Sequence, residues 1–300
     1  MIGELAALGA ALTWTFSAIL YKEALLKTKP ISANIMRLTC TSAILIICLT
    51  VIGKIEILTI LPLNAVFLAC MSGIIGLGFG DTLYMHSLKL IGVARTVPIT
   101  CIYPLFNLLW AIFLLEEPVT APIVLGAFII VFGIALLSSK EKEENTQKTH
   151  KGNLGKGVAS ALITALMWSV SITLMDMAVT LPETDSLDNA LAINTIRTMA
   201  IAVLLLATSP ITDRKFGFLK MQRKTLAMLI SGGIIALGLG WFFLAYSFIY
   251  ASEAHAVPIS STTPLFSTLS ATIFLHETAT PKNIVGAIMV VAGIFLIFAF

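Results

Sequence analysis

Asp81 closes the run Gly-Phe-Gly-Asp inside a long apolar stretch, with Tyr84 three residues on and His86 two further. A carboxylate in hydrocarbon is costly, so it must face a bundle interior, be paired, or carry a proton. The last option makes Asp81 a candidate proton-coupling site, and the first a candidate partner for a cationic solute. A structural hydrogen bond to a neighbouring helix is the plainer alternative. His86 falls off the Asp81 face and carries less weight.

Thr100, Tyr103, Asn107 and Trp110 are spaced three, four and three, which puts them on one face of a helix. The stripe returns 160 positions later as Ser260, Thr263, Ser267 and Ser270. Such faces can line a solute cavity. They can also be small residues that let helices approach, which suits the second stripe better than the first. Pro98, Pro104, Pro258 and Pro264 remove backbone donors in or beside the same segments, so each is a candidate gate or a static kink. Trp14, Ser17 and Tyr21 share a face near the N-terminus, and Trp168 and Ser171 repeat part of it. Trp241 stands where the repeat would place a second Asp81.

Other polar residues have blander expectations. Arg37 and Arg197 lie just inside their segments and are expected as interfacial anchors, with binding of a substrate carboxylate or phosphate as the minority reading. Asp176, near a segment end, is expected to snorkel. Glu116, Glu117, His276 and Glu277 sit in tight turns and should stabilise the N-terminus of the following helix.

These residues are organised by a duplication. Gly73–Phe106 returns as Gly233–Phe266 with every position displaced by 160, and the register holds through Glu117/Glu277, Gly126/Gly286 and Gly133/Gly293. Trp14 and Ser17 meet Trp168 and Ser171 at an offset of 154, and Asn34 and Arg37 meet Asn194 and Arg197 at 160. An insertion near 182–187 accounts for the difference. The domains are therefore a first repeat at 1–139, a polar linker at 140–154 and a second repeat at 155–300.

Composition says what the repeats are. The chain is 58% hydrophobic and 12% charged, with mean hydropathy +0.97, where a soluble domain carries about 25% charged residues. Its apolar runs each suffice to cross about 30 Å of hydrocarbon and lack the alternation of a barrel strand. The fold class is an all-α membrane protein. Its ten transmembrane segments run over about 3–21, 34–53, 63–88, 97–115, 121–138, 155–175, 190–208, 225–249, 256–275 and 282–300. Five helices per repeat is an odd number, so the second copy enters from the opposite side and the repeats are inverted. Lys and Arg gather after odd-numbered segments, which places those loops in the cytoplasm and both termini outside. The N-terminus lacks the basic region of a signal peptide and reads as a retained first helix. No basic stripe with interleaved aromatics points to nucleic acid. Cys40, Cys48, Cys70 and Cys101 all lie in the first repeat and are expected as core filler, not as a disulfide framework or metal site.

The tryptophan of the first segment, the N-x-x-R opening of the second, the P-L-F of the fourth, the acidic turn and the G-A-x-x-x-x-x-G fifth segment together resemble the drug/metabolite transporter superfamily. More narrowly, the chain resembles an EamA-domain transporter with two copies of the domain, over all but the linker. The resemblance implies export or exchange of a small organic solute and no cofactor, but does not imply which solute. Members are usually described with both termini cytoplasmic, against the charge count. Small multidrug transporters carry an essential glutamate in their first helix where this chain has Trp14 and Trp168, which counts against proton-coupled drug export of that type.

The expectation is a secondary transporter in the cell membrane, not an enzyme, working as a monomer or weak homodimer. It would move an amino-acid-like or related amphipathic solute, with a proton as candidate co-substrate. Trp14, Ser17, Asp81, Tyr84, Tyr103, Asn107, Trp110, Trp168, Ser171, Trp241, Thr263 and Ser267 are the candidate cavity residues. An ion-independent facilitator is the rival within transport. A G-x-G-D intramembrane aspartyl protease is the remote one, since it needs a second aspartate and the duplicate reads Gly-Leu-Gly-Trp.

Overall fold

The computed structural model describes residues 1–91, 96, 99–138, 151–266, 269 and 281–299, and every regular element among them is helical. Hydrocarbon offers backbone groups no partner, so each apolar run satisfies its own as a helix. The first repeat holds α1 (Ile2–Leu25), α2 (Pro30–Val51), α3, α4 (Tyr103–Phe113) and α5 (Ala121–Ser138). Here α3 runs from Leu63–Ser72 through a π-helical Gly73–Gly80 into Asp81–Ile91. The second holds α6 (Lys151–Val179), α7 (Leu187–Thr212), α8, α9 (Glu253–Ser260) and α10 (Pro281–Ala299). Likewise α8 runs from Arg223–Gly233 through a π-helical Ile234–Gly240 into Trp241–Phe248. Seven of the described helices are long and apolar enough to cross a membrane, and α4 and α5 are shorter apolar helices. Most sequence-derived segments agree to within a few residues, but the fourth and ninth, expected as continuous over 97–115 and 256–275, are broken, and α6 starts at Lys151, inside the expected linker; positions 97–98, 139–150, 267–268 and 270–280 lie outside the described residues.

Contacts between the copies fix their relative direction. Ser32, at the start of α2, donates to Asp213 just past the end of α7 at 2.9 Å. Lys54, past the other end of α2, pairs with Asp188 at the start of α7 at 2.7 Å. The two helices are therefore antiparallel. The same holds for α5 and α10. A Cβ on Gly126 would stand 2.9 Å from the Gly293 carbonyl oxygen, and one on Gly133 would stand 2.8 Å from that of Gly286. Corresponding helices of the two copies run in opposite senses, which is an inverted repeat.

The copies also exchange their first helices. Trp168 of α6 packs on Gly80 of α3, and Trp14 of α1 packs on Gly240 of α8. Thus α1 lies against α8 and α9, while α6 lies against α3 and α4. The glycine string of α3 is explained by this packing: a Cβ at Gly76 would collide with Ser171 of α6. Both strings adopt the wider π-helical turn, a local geometry frequent at functional sites.

Helices four and nine are interrupted at equivalent places. Residues 101–102 and 261–262 leave the helical path just before Pro104 and Pro264. Leu105 then donates to the Ile102 carbonyl and Leu265 to the Thr262 carbonyl, each at 2.9 Å. A proline has no N–H to return to the turn before it, so the break has a chemical cause. Pro258 lies inside α9. Pro98 lies outside the described residues.

Candidate solute site

Two arginines at equivalent positions lie in the interior, one per copy. Arg37 of α2 is 5% exposed and Arg197 of α7 is 0% exposed. Arg197 lies ten residues into α7, about 15 Å along it at 1.5 Å per residue, near the middle of about 30 Å of hydrocarbon. This corrects the expectation of interfacial anchors. Asp81 and Tyr21 cover the Arg37 guanidinium, and Ser72, Ser171 and Trp241 cover that of Arg197, so neither reaches the headgroups.

Around Arg37 the chain is electrically closed. Its Nη2 pairs with Asp81 Oδ2, and its Nε donates to Asn34 Oδ1 at 2.8 Å. Asn34 in turn donates to the Leu77 carbonyl at 3.1 Å. The guanidinium carbon lies 4.9 Å from the centre of the Tyr21 ring. Asp81 Oδ1 accepts the indole N–H of Trp168 at 2.9 Å, and Trp168 lies 5.0 Å from Tyr84 and 6.1 Å from Tyr103 between ring centres. Asp81, Tyr84, Tyr103 and Trp168 thus form one group, anchored from α2, α3, α4 and α6. His86 faces away, 3.3 Å from Ser160.

Around Arg197 it is not closed. Nε donates to Ser72 at 2.7 Å and Nη2 to Ser171 at 2.9 Å. The guanidinium carbon sits 3.6 Å from the centre of the Trp241 ring, and Trp14 packs edge-on to Trp241 at 5.3 Å. The buried Nη1 has no hydrogen-bond partner. Trp14, Ser171 and Trp241 are thus brought together, with Ser72 added from α3.

The helix-four stripe divides. Tyr103 belongs to the Trp168 group. Asn107 and Trp110 instead bind helix six: Asn107 Nδ2 donates to the Ser169 carbonyl at 3.2 Å and Trp110 Nε1 to Ser169 Oγ at 3.0 Å. Asn107 also donates to Glu253 of α9, which accepts from Thr173 at 2.7 Å. Glu253 is 0% exposed and its Oε2 has no partner. Glu117 accepts the backbone N–H groups of Glu253 and Ala254 at 2.7 and 3.0 Å. It therefore caps α9 of the other copy, not the next helix as expected. Asp176 is 4% exposed and does not reach out to water beyond the bundle. It faces a pocket of 390 Å³ with Glu117 and Thr180. That pocket lies at one end of the bundle, away from the arginines. Asp176 is also eight residues along α6 from Trp168, about 12 Å, so Asp81 and Asp176 do not form a catalytic pair.

Of the remaining candidates, buried Ser17 turns back to its own Trp14 carbonyl at 2.9 Å. Thr263 and Thr15 tie α1 to the interruption in helix nine, Thr15 donating to the Thr263 carbonyl at 3.2 Å and Thr263 to the Ala11 carbonyl at 3.3 Å. Ser267 lies outside the described residues. The two arginines were underweighted by sequence reasoning, although the repeated N-x-x-R marked them; Glu253 was missed, with only its place at a helix start as a signal.

The EamA-like transporter family matches this chain twice, over residues 1–139 and 155–299. An uncharacterized transporter of Archaeoglobus fulgidus is 23% identical over 299 residues, 99% of this chain and 98% of that protein. The probable glucose uptake protein GlcU of Priestia megaterium is 26% identical over 227 residues, 72% of this chain and 74% of that one. A crystal structure with TM-score 0.78 covers 98% of this chain and 95% of its own at 17% identity, a likeness of fold alone. Matched in both repeats, the chain belongs to the EamA-like transporter family, within the drug/metabolite transporter superfamily.

Proposed function

We propose that the protein is a secondary transporter in the cell membrane that moves a small amphipathic metabolite, amino-acid-like in character, by alternating access between its two inverted copies. The observation that carries this reading is the reciprocal packing of each copy's first helix into the other copy, around buried charge and beside two interrupted helices. Discontinuous helices at the repeat interface are where transporters of this build hold their solutes. Trp14, Asp81, Tyr84, Tyr103, Trp168, Ser171 and Trp241 are the proposed contacts, and the breaks before Pro104 and Pro264 the proposed gates. Exchange or export, as a monomer or weak homodimer with both termini outside, completes the proposal.

Asp81 is the proposed coupling group. A proton on it would release Arg37, the charge that faces it from α2. Tyr21 of α1, Tyr84 of α3, Tyr103 of α4 and Arg197 of α7 are other titratable groups turned toward this centre. In vesicles loaded with the purified protein, Asp81→Asn should abolish the pH dependence of transport. A pH profile identical to wild type would remove proton coupling at this residue. A C-terminal reporter active only in the cytoplasm would reverse the proposed orientation.

A second reading is an ion-independent facilitator of a neutral sugar, favoured by the likeness to the probable glucose uptake protein of Priestia megaterium. Thermal stabilisation across amino acids, nucleosides, sugars and cationic dyes separates the two, because a ligand of the folded state raises the melting temperature according to its affinity. A sugar hit with uptake insensitive to ion gradients would favour the facilitator.

A further inference from the structure

Arg197 carries a charge that its surroundings do not cancel. Its hydrogen-bond partners are two neutral hydroxyls, those of Ser72 and Ser171. These hydroxyls are themselves committed, Ser72 donating to the Ser171 carbonyl at 2.6 Å and Ser171 to the Ser72 carbonyl at 2.7 Å. Trp241 covers one face of the guanidinium at 3.6 Å, and Nη1 is buried without a partner. No acidic side chain pairs with Arg197 among the described residues. In the equivalent place the first copy holds its own carboxylate, Asp81, against Arg37. Counted together, Arg37, Arg197 and Asp81 leave one positive charge in excess in the middle of the bundle.

An uncompensated charge far from water is among the most expensive features a fold can keep. A guanidinium also presents a planar fork that matches carboxylate and phosphate oxygens. We propose that Arg197 is the docking point for an oxyanion of the solute, so that the protein carries a small organic molecule bearing a carboxylate or phosphate group. This deepens the transport reading and rests on it. The solute oxyanion does for Arg197 what Asp81 does for Arg37. Access runs through the cover: Trp241 packs on Trp14, and the next residue, Thr15, is bonded to Thr263 at the interruption of helix nine. A movement at that break reaches Trp14 and, through it, the Trp241 indole that covers the guanidinium.

The test heats the purified full chain in acetate, benzoate or inorganic phosphate, with acetamide and benzamide as uncharged matches, against chloride at equal ionic strength and pH. At least one oxyanion should raise the melting temperature while the amides do not. The apparent dissociation constant should rise on the order of 30-fold or more in Arg197→Gln. Arg197→Lys, which keeps the charge without the fork, should retain a weakened response. Trp241→Asp should fold with an internal carboxylate on Arg197 and lose the response. Stabilisation by phosphate alone assigns a phosphate ester, and stabilisation by acetate or benzoate a carboxylic acid. An equal response to the amides, an oxyanion response unchanged in Arg197→Gln, or no response to any oxyanion would overturn the proposal. Vesicle uptake of a neutral solute undiminished in Arg197→Gln would overturn it and leave transport standing. Oxyanion binding without movement of any bound probe across the vesicle membrane would do the reverse.

Discussion

The two copies agree in their scaffold and disagree in their charge. Asn34 donates to the Leu77 carbonyl at 3.1 Å and Asn194 to the Leu237 carbonyl at 2.8 Å, equivalent bonds 160 positions apart. The glycines that seat Trp168 and Trp14 are likewise equivalent. Yet the residue facing Arg37 is Asp81, and the one facing Arg197 is Trp241. Ser72, which binds Arg197, has Gly232 as its counterpart, and Tyr21 has Met175. Packing residues are held equal because each contact is made twice, once per copy. A charged position meets a different environment in each copy and can diverge. Two near-equivalent packings are what alternating access needs, while the unequal charges give the site its polarity.

The largest effect should come from breaking the closed copy. Asp81→Ala strands Arg37 in the interior and should cost about 3–5 kcal/mol, because a buried ion is left without its partner. Removing both ends, with Arg37→Met added, should recover most of that loss. Chemical unfolding of the singles and the double in one detergent reads the coupling directly. Trp241→Ala should cost a similar amount by lost packing, but Arg197→Met added to it should recover far less. Equal recovery in the two copies would erase the contrast between them.

Much of this was legible in the residues. The unbroken offset of 160 announced the duplication, and five spans per copy implied inversion, which the antiparallel pairing of α2 with α7 bears out. What stayed hidden depends on partners far along the chain. Arg37 looked interfacial from its place near a helix start, but its environment is set by Asp81, 44 positions on, and by a first helix exchanged between copies. Glu253 had only its place at a helix start to mark it, and only the fold brings Asn107, Thr173 and Glu117 to it. The π-helical turns of α3 and α8 left no mark in apolar periodicity, because glycine has no side chain to place on a face.

The two first-helix serines sharpen the comparison at lower cost. Ser171 holds Arg197 and Ser72, so Ser171→Ala should destabilise by about 1.5–3 kcal/mol, the range for hydrogen bonds to charged groups. Ser17, its counterpart, bonds within its own helix, so Ser17→Ala should be nearly neutral. Where the scaffold is symmetric the outcome should be symmetric. Gly126→Val and Gly286→Val, one in each copy, should each cost about 1–3 kcal/mol by forcing apart the α5–α10 contact. Unequal costs at those glycines would show that the copies differ in packing as well as in charge.

The smallest effect is expected from the ion pair that looks most like the central one. Lys54 and Asp188 join the two copies at the ends of α2 and α7, whereas Arg37 and Asp81 both belong to the first, and at 2.7 Å their side chains are 48% and 36% exposed. Water solvates both ions when the pair is broken, and salt screens their attraction when it is made. Lys54→Ala should therefore cost no more than about 0.2–1 kcal/mol, shrinking further as salt is raised. The bundle thus carries one pair that water can replace and one that it cannot. If Lys54→Ala proved as damaging as Asp81→Ala, the central pair would owe nothing to its burial, and the excess charge at Arg197 would lose its cost as well.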